Sequence, residues 1–226
     1  EFVAATNGED TAKQIYDIYR KEAVAEGIEN VQILSPYRKS GHAGVNAMNP
    51  IVREIANPAT SMRPQVQHGA RIFRVGDKVM QMKNVEDVSN GDVGFVTDAC
   101  TTEDKGASVT IEFSGNRVVN YYEDGLDMLD LAYAMSIHKS QGSEYATVIV
   151  PVLFEFYVML KRDIYYTGIT RAKKKVILVG QKQALFRAIH TISELRNTRL
   201  SLRIQLAVKE RLAAIPEKPP EQLKIG

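Results

Sequence analysis

Residues 131–153 read LAYAMSIHKSQGSEYATVIVPVL, two apolar runs separated by a polar stretch. Apolar runs such as 131–137 and 147–153 are typical of strands buried on both faces of a parallel sheet. The polar residues between them are poorly suited to a core and favour a loop that presents hydroxyls, a ring and an ammonium group to a ligand. A histidine among polar residues is more often an ordinary surface residue, so this loop alone identifies no ligand.

Outward from this stretch, helical and strand-like patterns alternate along the chain. Apolar residues at helical spacing and short apolar runs ending at turn residues give this alternation. The order of elements favours an α/β fold. The pattern predicts helices at 9–25, 45–56, 161–172, 181–192 and 193–214, and strands at 31–34 and 175–180.

The sequence pattern changes between about residues 71 and 125. Short strand-like runs recur there at intervals of roughly a dozen residues, which is typical of a small β-barrel or sandwich. Asn90-Gly91 predicts a hairpin turn, because both residues tolerate positive φ. The sequence therefore predicts an α/β domain interrupted by a small all-β insertion.

Composition excludes several classes of protein. The 226 residues carry a net charge of +2 and are 44% hydrophobic and 25% charged, which argues against wholesale disorder. No run approaches the roughly 18 apolar residues of a membrane span, so no membrane partner is expected. The single Cys100 cannot form an internal disulfide, which favours an intracellular, cytoplasmic location. The four histidines and Cys100 lack metal-ligand spacing, so no metal site is expected.

The small net charge hides a strong partition. Residues 73–126 carry 10 acidic and 5 basic side chains, whereas residues 161–226 carry 15 basic and 5 acidic ones. A concentration of basic residues is the electrostatic footprint expected for a phosphate-bearing partner. A solvated helix face followed by a basic tail explains the same charge equally well.

Two further stretches contain arginines that are candidate phosphate ligands. Arg171 lies in YYTGITRAKKK (165–175), where a helix is expected to give way to a strand, and we expect it at the ligand-binding edge of the sheet. Arg38 lies in SPYRKSG (35–41), just past another expected strand. The planar guanidinium group of arginine binds phosphate oxygens in pairs.

These stretches, taken together and in this order, resemble motifs IV, V and VI of superfamily 1 helicases, in the RecD-like group related to the exodeoxyribonuclease V alpha subunit. LSPYRK (34–39) resembles motif IV, HKSQGSE (138–144) motif V and YTGITRAK (166–173) motif VI. FRVGDKVMQ (73–81) and NGDVG (90–94) resemble the opening of an SH3-like barrel inserted into the second RecA-like domain.

The resemblance implies a fold and a domain organisation. It implies a RecA-like α/β fold of the P-loop-NTPase type, with helices on both faces of a parallel sheet and a small all-β SH3-like barrel inserted. The second RecA-like domain would comprise residues 1–72 and 127–200, and the barrel residues 73–126. Residues 201–226 would form a basic helix and a loose tail.

The resemblance also implies roles for individual residues. Arg171 would be the arginine finger that stabilises charge on the γ-phosphate, and Arg38 would approach the same phosphate. The expected nucleotide-facing residues are Gln141, Gly142 and Glu144, with Glu144 reaching a ribose hydroxyl. The expected contacts to single-stranded DNA are Ser136, His138, Lys139 and Ser140. The family implies 5′-to-3′ movement.

One sequence motif is missing. No G-x-x-x-x-G-K-[ST] phosphate loop occurs, and in the family this loop and the Mg²⁺ ligands belong to a preceding RecA-like domain. Because the chain begins at Glu1, we expect the C-terminal half of a longer helicase that does not hydrolyse ATP alone. The expected partners are single-stranded DNA, ATP with Mg²⁺ and the N-terminal RecA-like domain, with nuclease-complex subunits as further candidates.

Other functions stay open at this point. The chain is alternatively a non-catalytic nucleic-acid- or protein-binding module on a RecA-like shell. The acidic barrel would then contact protein, or bind DNA through local basic residues such as Lys78, Lys83 or Arg117. An independent small-molecule enzyme is disfavoured, since no paired carboxylates, nucleophile elbow or metal cluster is apparent.

Overall fold

The structure is a computed structural model that describes residues 1–39, 41–102, 106–193 and 200–213. It divides into two compact units, one of residues 1–192 and one that begins at residue 193. The second unit contains one described helix, α5, within the basic helix expected from the sequence. The tail expected after it lies outside the described residues.

The first unit alternates helices and strands before and after a β-rich middle section. In chain order its elements are β1 (Phe2–Ala4), α1 (Gly8–Glu26), β2 (Val31–Ser35), α2 (Val45–Ala56), β3 (Gln65–His68), β4 (Arg71–Arg74), β5 (Lys78–Gln81), β6 (Val93–Thr102), β7 (Gly106–Phe113), β8 (Arg117–Tyr122), β9 (Leu129–Leu131), β10 (Ala134–Ser136), β11 (Tyr145–Val152), α3 (Arg162–Ile169), β12 (Ala172–Gly180) and α4 (Lys182–His190). In the second unit, α5 is Leu200–Ala213.

A parallel sheet with the strand order β1-β12-β11-β2-β10 forms the centre of the α/β part. Successive side chains of a strand point to opposite faces, so the apolar strands supply two cores. Ile33 and Ile149 pack with α1 and α2 on one face, whereas Leu34 and Val150 pack with α3 and α4 on the other. This arrangement confirms the predicted α/β fold with helices on both faces.

The helices begin and end where local signals place them. The Asn7 side chain accepts a hydrogen bond from the Asp10 amide at 2.9 Å and caps α1. The next helix ends at Ala56, directly before Asn57-Pro58, as the sequence predicts. The expected helices at 161–172 and 181–192 are each shorter, at Arg162–Ile169 and Lys182–His190.

The expectation of one parallel strand over 131–137 is wrong. Leu131 ends β9, which pairs antiparallel with β5, and Ala134 begins β10, which pairs parallel with β2. Ala132 and Tyr133 connect the two strands and are fully buried. The run is continuously apolar because the chain passes directly from the barrel core into the cores of the parallel sheet. Hydrophobicity alone does not show that one apolar run contains two strands of different sheets.

The β-rich section is a five-stranded antiparallel sheet, β8-β7-β6-β5-β9, accompanied by the β3–β4 hairpin. We call residues 65–131 the barrel, since Val66 and Leu129 belong to its core together with Val79, Ile111 and Phe113. Val66 and Leu129 lie outside the range 73–126, so the barrel uses more of the chain than the sequence pattern indicates. The other domain boundaries stay predictions.

The expected turn at Asn90-Gly91 is not a two-residue hairpin. Residues 82–92 form a longer loop between β5 and β6, and within Asn90-Gly91 only the glycine has positive φ, at 104°. A tight turn instead joins β7 to β8, where Gly115 and Asn116 have φ of 80° and 56°. The Gly-Asn pair was the better hairpin signal, because each residue tolerates the left-handed region.

A buried carboxylate joins the barrel to the α/β part. Asp77 is fully buried and accepts two hydrogen bonds from Arg53 of α2, at 3.0 and 2.6 Å. Asn57 donates to it at 2.8 Å, the Tyr133 hydroxyl at 3.2 Å and the Arg74 amide at 2.8 Å. Both carboxylate oxygens are therefore satisfied by donors from both parts of the fold.

The side chain of Lys78, the next residue, extends from the barrel into the α/β part. Its ammonium group donates to the carbonyl oxygens of Ile28 at 3.1 Å and Val31 at 3.3 Å. It also lies 5.4 Å from the centre of the Tyr145 ring. Burial lowers the pKa of this ammonium group to about 7. Because Lys78 is buried, the expectation that it contacts DNA is wrong.

Removing the Asp77 carboxylate should weaken the junction between the barrel and the α/β part. We expect Asp77→Ala to lower the free energy of unfolding by about 3–5 kcal/mol, because Arg53 is left buried without its counter-ion. Urea denaturation followed by circular dichroism measures the loss. Asp98→Ala, at an exposed position of the same barrel, is the matched control. Equal stability of the two variants would contradict this account of the junction.

The buried Lys78 should make stability depend on pH. The unfolded lysine keeps its proton up to a pKa of about 10.4, whereas the folded one loses it near pH 7. Between pH 7 and 9 the unfolded chain therefore binds more protons, and the free energy of unfolding should rise by up to about 1.4 kcal/mol per pH unit.

Lys78→Met should remove this rise, and Lys83→Met, on an exposed barrel loop, should retain it. Urea denaturation at pH 7, 8 and 9 gives the three slopes. A wild-type slope in Lys78→Met would show that another group carries the dependence.

Candidate functional site

Residues 137–144, here called the connector, run from the end of β10 to the start of β11. Both strands flank β2 and run parallel to it, with Ser136 beside Ser35 and Thr147 beside Val31. The connector thus returns the chain from the carboxyl edge of the sheet to its amino edge. Five residues of β2 correspond to about 16 Å, so the two ends of the connector face different surroundings.

The first half of the connector is a short 3-10 turn, Ile137–Ser140, anchored in the core. Ile137 is buried, and the Ser140 hydroxyl donates to its carbonyl oxygen at 2.8 Å. Ser140 is itself fully buried. Its side chain therefore holds the turn and cannot reach a ligand, which corrects the expected DNA contact of this residue.

Three expected DNA contacts remain accessible at the carboxyl-edge half. Ser136 is half-buried at the end of β10, and His138 is exposed. The Lys139 ammonium group donates to the side-chain oxygen of Asn90 in the barrel loop. An imidazole, a hydroxyl and an ammonium group therefore lie within four consecutive residues, a set that suits phosphate oxygens.

The second half of the connector lies toward the amino edge and is open to solvent. Gln141, Gly142 and Glu144 are exposed. Gly142 has φ of 91°, a left-handed conformation that favours glycine, and no atom lies near the position of an added Cβ. Glu144 forms an ion pair with Lys173 at 3.2 Å. The space around these residues leaves room for a ligand.

Arg171 lies beside this open half, between the end of α3 and the start of β12. Its guanidinium group donates to the carbonyl oxygens of Thr167 at 3.3 Å and Ser143 at 3.5 Å, and to the Thr170 hydroxyl at 3.3 Å. All three acceptors are neutral. In the described ranges no carboxylate forms an ion pair with Arg171.

The two candidate catalytic arginines lie at opposite edges of the sheet. Arg171 precedes Ala172, which pairs with Tyr145 at the amino end of β11. Arg38 follows the carboxyl end of β2 and forms an ion pair with Asp130 at 2.5 Å. The expectation that both approach one phosphate is therefore wrong for this arrangement. Arg171 also lies opposite the edge where α/β sheets usually bind ligands, because α3 returns the chain before β12 begins.

A cleft that no sequence pattern indicates lies between the barrel and the connector. It has a volume of about 340 Å³ and is lined in part by Lys78, Asp92, Arg117, Ser143 and Glu144. Arg117 donates to the Asp92 carboxylate at 3.1 Å. These residues are far apart in sequence, so no local pattern indicates that they line one cleft.

Among the described residues, no three His, Cys, Asp or Glu side chains are grouped to hold a metal ion. Within those same ranges, no helix has the length and apolar character needed to cross a bilayer.

Comparison with known proteins gives a family. Residues 131–179 match the UvrD-like helicase C-terminal domain, and residues 48–113 match the SH3 domain of ATP-dependent RecD-like DNA helicases. The ATP-dependent RecD2 DNA helicase of Deinococcus radiodurans is 37% identical over 182 residues, 77% of this chain. The chain belongs with the RecD-like superfamily 1 helicases. The two matches cover the connector, Arg171 and the α2–barrel junction.

The RecD-like chain spans only part of its relatives. It covers 23% of the Deinococcus protein, and 25% of the RecBCD enzyme subunit RecD of Haemophilus influenzae, to which it is 28% identical over 174 residues. Among solved structures, Pif1 helicase from Bacteroides in complex with ADP-AlF3 and single-stranded DNA is 16% identical, with a TM-score of 0.48. That match covers 90% of this chain and 55% of the Pif1 chain.

The buried position of Ser140 has a testable consequence. Ser140→Ala should lower the free energy of unfolding by about 1–2 kcal/mol, because the Ile137 carbonyl loses its buried donor. The affinity for single-stranded DNA should stay within twofold of wild type, as measured by fluorescence anisotropy on the full-length protein. His138→Ala is the comparison at an exposed position of the same turn. A large loss of affinity in Ser140→Ala with unchanged stability would restore Ser140 as a DNA contact.

Proposed function

We propose that this chain is the C-terminal motor region of an ATP-dependent helicase that moves 5′ to 3′ on single-stranded DNA. In this proposal Arg171 is the arginine finger of ATP hydrolysis. The observation that carries the proposal is the arrangement of its guanidinium group beside the solvent-open half of the connector.

The environment of Arg171 supports this role. Its neutral acceptors orient the guanidinium group without cancelling its charge. A finger of this kind must stay free to receive the charge that develops on the γ-phosphate, and an ion pair to a carboxylate would compete with that charge. Arg38, which is paired with Asp130, is the weaker candidate for this task.

The connector offers separate groups to nucleotide and DNA. Gln141, Gly142 and Glu144 form the nucleotide-facing half of the proposal, with the Glu144 carboxylate as acceptor for a ribose hydroxyl. Lys173 pairs with Glu144 and would orient that carboxylate. Ser136, His138 and Lys139 form the DNA-facing half, so a single short segment would contact both ligands.

ATP hydrolysis in this proposal requires a second RecA-like domain. The sequence contains no phosphate-loop motif, so the β- and γ-phosphates and Mg²⁺ would be held by that other domain of the full-length protein. This chain would contribute Arg171 across the shared nucleotide site and would be inactive alone. The RecBCD subunit names of several relatives make nuclease-complex subunits further candidate partners.

Substitution of Arg171 tests the finger assignment. In the full-length protein, Arg171→Ala should lower the DNA-stimulated kcat for ATP hydrolysis by about 10³–10⁵, because the guanidinium charge that would stabilise the γ-phosphate is removed. Nucleotide affinity, measured with a fluorescent ATP analogue, should change only a few-fold. Arg162→Ala, at the exposed start of the same helix, is the matched control and should keep the wild-type rate.

The outcomes separate the two candidate functions. Hydrolysis at the wild-type rate in Arg171→Ala would overturn the finger assignment. Single-strand binding by a wild-type full-length protein that hydrolyses no ATP would favour the alternative, a non-catalytic binding module on a RecA-like shell.

A further inference from the structure

The barrel makes two separate contacts here, one to Lys139 within the connector and one to Tyr145, the residue that directly follows it. Near the carboxyl edge, the Asn90 side-chain oxygen accepts a hydrogen bond from the Lys139 ammonium group. The neighbouring Gly91 lies so close that an added Cβ would be 3.6 Å from the Lys139 carbonyl oxygen. The barrel loop therefore packs against both the side chain and the backbone of Lys139.

At the amino edge, the barrel contacts the first residue of β11, directly after the connector. The Lys78 ammonium group lies over the ring of Tyr145, which directly follows Glu144 and is largely buried. The same ammonium group binds the carbonyl oxygens of Ile28 and Val31. Lys78 therefore ties the start of β11 to the start of β2 from the barrel side.

We propose that the barrel positions the connector, with Asn90 as the positioning residue of its DNA-facing half and Lys78 as that of its nucleotide-facing end. This inference rests on the proposed function and assigns the insert a role in it. The barrel then serves both ligand sites without contributing a ligand contact itself, which agrees with its excess of acidic residues.

The chemistry of Asn90 suits a positioning role. A lysine side chain loses about 2 kcal/mol of rotamer freedom when it is fixed, and a preformed contact removes that cost from DNA binding. The amide oxygen of Asn90 is neutral, so it fixes the ammonium group and leaves its charge and two further N–H donors for a phosphate. A carboxylate at this position would hold Lys139 equally well but would cancel its charge.

The DNA-facing half is tested with Asn90 variants of the full-length protein. Asn90→Ala should raise the single-strand concentration for half-maximal ATPase stimulation about fivefold, with the KM for ATP unchanged. Asn120→Ala, on the outer face of the same barrel, is the matched control. Asn90→Asp should also raise that concentration, and its defect should persist at low salt, since the cancelled charge removes a phosphate contact.

The nucleotide-facing end is tested with Lys78→Met, which keeps an unbranched side chain one atom shorter than lysine. The KM for ATP should rise about three- to fivefold, whereas the half-stimulating DNA concentration should stay near wild type. Stability at pH 7 should stay close to that of wild type, because the cost of burying an amine offsets the hydrogen bonds that it gives to three carbonyl oxygens. A merely structural role predicts instead that stability and ATPase activity fall together. Lys21→Met, at an exposed position of α1, is the control.

The readouts distinguish failure of this inference from failure of the proposed function. If wild type shows DNA-stimulated hydrolysis that depends on Arg171, yet Asn90→Ala and Lys78→Met match their controls, the barrel does not position the connector. If wild type shows no DNA-stimulated hydrolysis, the proposed function fails first. A defect of the same kind in both variants would overturn the division into two halves.

Discussion

The buried Asp77 carboxylate is the constraint on which the relation between barrel and sheet depends. A charge without access to water is tolerated only where counter-ion and hydrogen-bond donors surround it. Here the donors come from α2, from the β9–β10 link and from the barrel itself, at distances of 2.6 to 3.2 Å. The barrel cannot shift without exposing or orphaning this carboxylate, so its docking is specific in position as well as favourable in energy.

The same constraint accounts for the roles of several residues of FRVGDKVMQ (73–81). Within this stretch, Gly76 has φ of 90° and lies against Asn57, Asp77 binds Arg53, and Lys78 reaches the start of β2. Three consecutive residues thus serve the junction between two parts of the fold. Both the Asp77 and the Lys78 side chains are buried there and are not free to take a ligand.

Local patterns in the sequence predict most helices and strands of the fold. They do not predict which of these elements contact one another. The helix at Val45–Ala56 follows from spacing and flanking turn residues within a dozen positions. The burial of Lys78 and the separation of Arg38 from Arg171 depend on residues tens of positions away, whereas the Ser140 hydroxyl bonds a carbonyl oxygen only three residues away. A polar side chain has the same appearance in a sequence whether it binds a ligand or satisfies a buried carbonyl. Ser140 and Lys78 therefore have the sequence pattern of DNA contacts, although both are buried.

The position of the connector across the sheet bears on how one segment would serve two ligands. Eight residues join two edges separated by about 16 Å, and they do so through two successive turns, the 3-10 turn Ile137–Ser140 and a turn in which the Ser143 amide donates to the Ser140 carbonyl oxygen at 3.0 Å. A short segment closed by such hydrogen bonds absorbs less displacement between its ends than a long open loop does. The buried Ile137 and Ser140 fix the turn, and the barrel contacts on Lys139 and Tyr145 limit sideways movement. In the proposed function, movement along the connector would therefore couple the half expected to face DNA to the half expected to face the nucleotide.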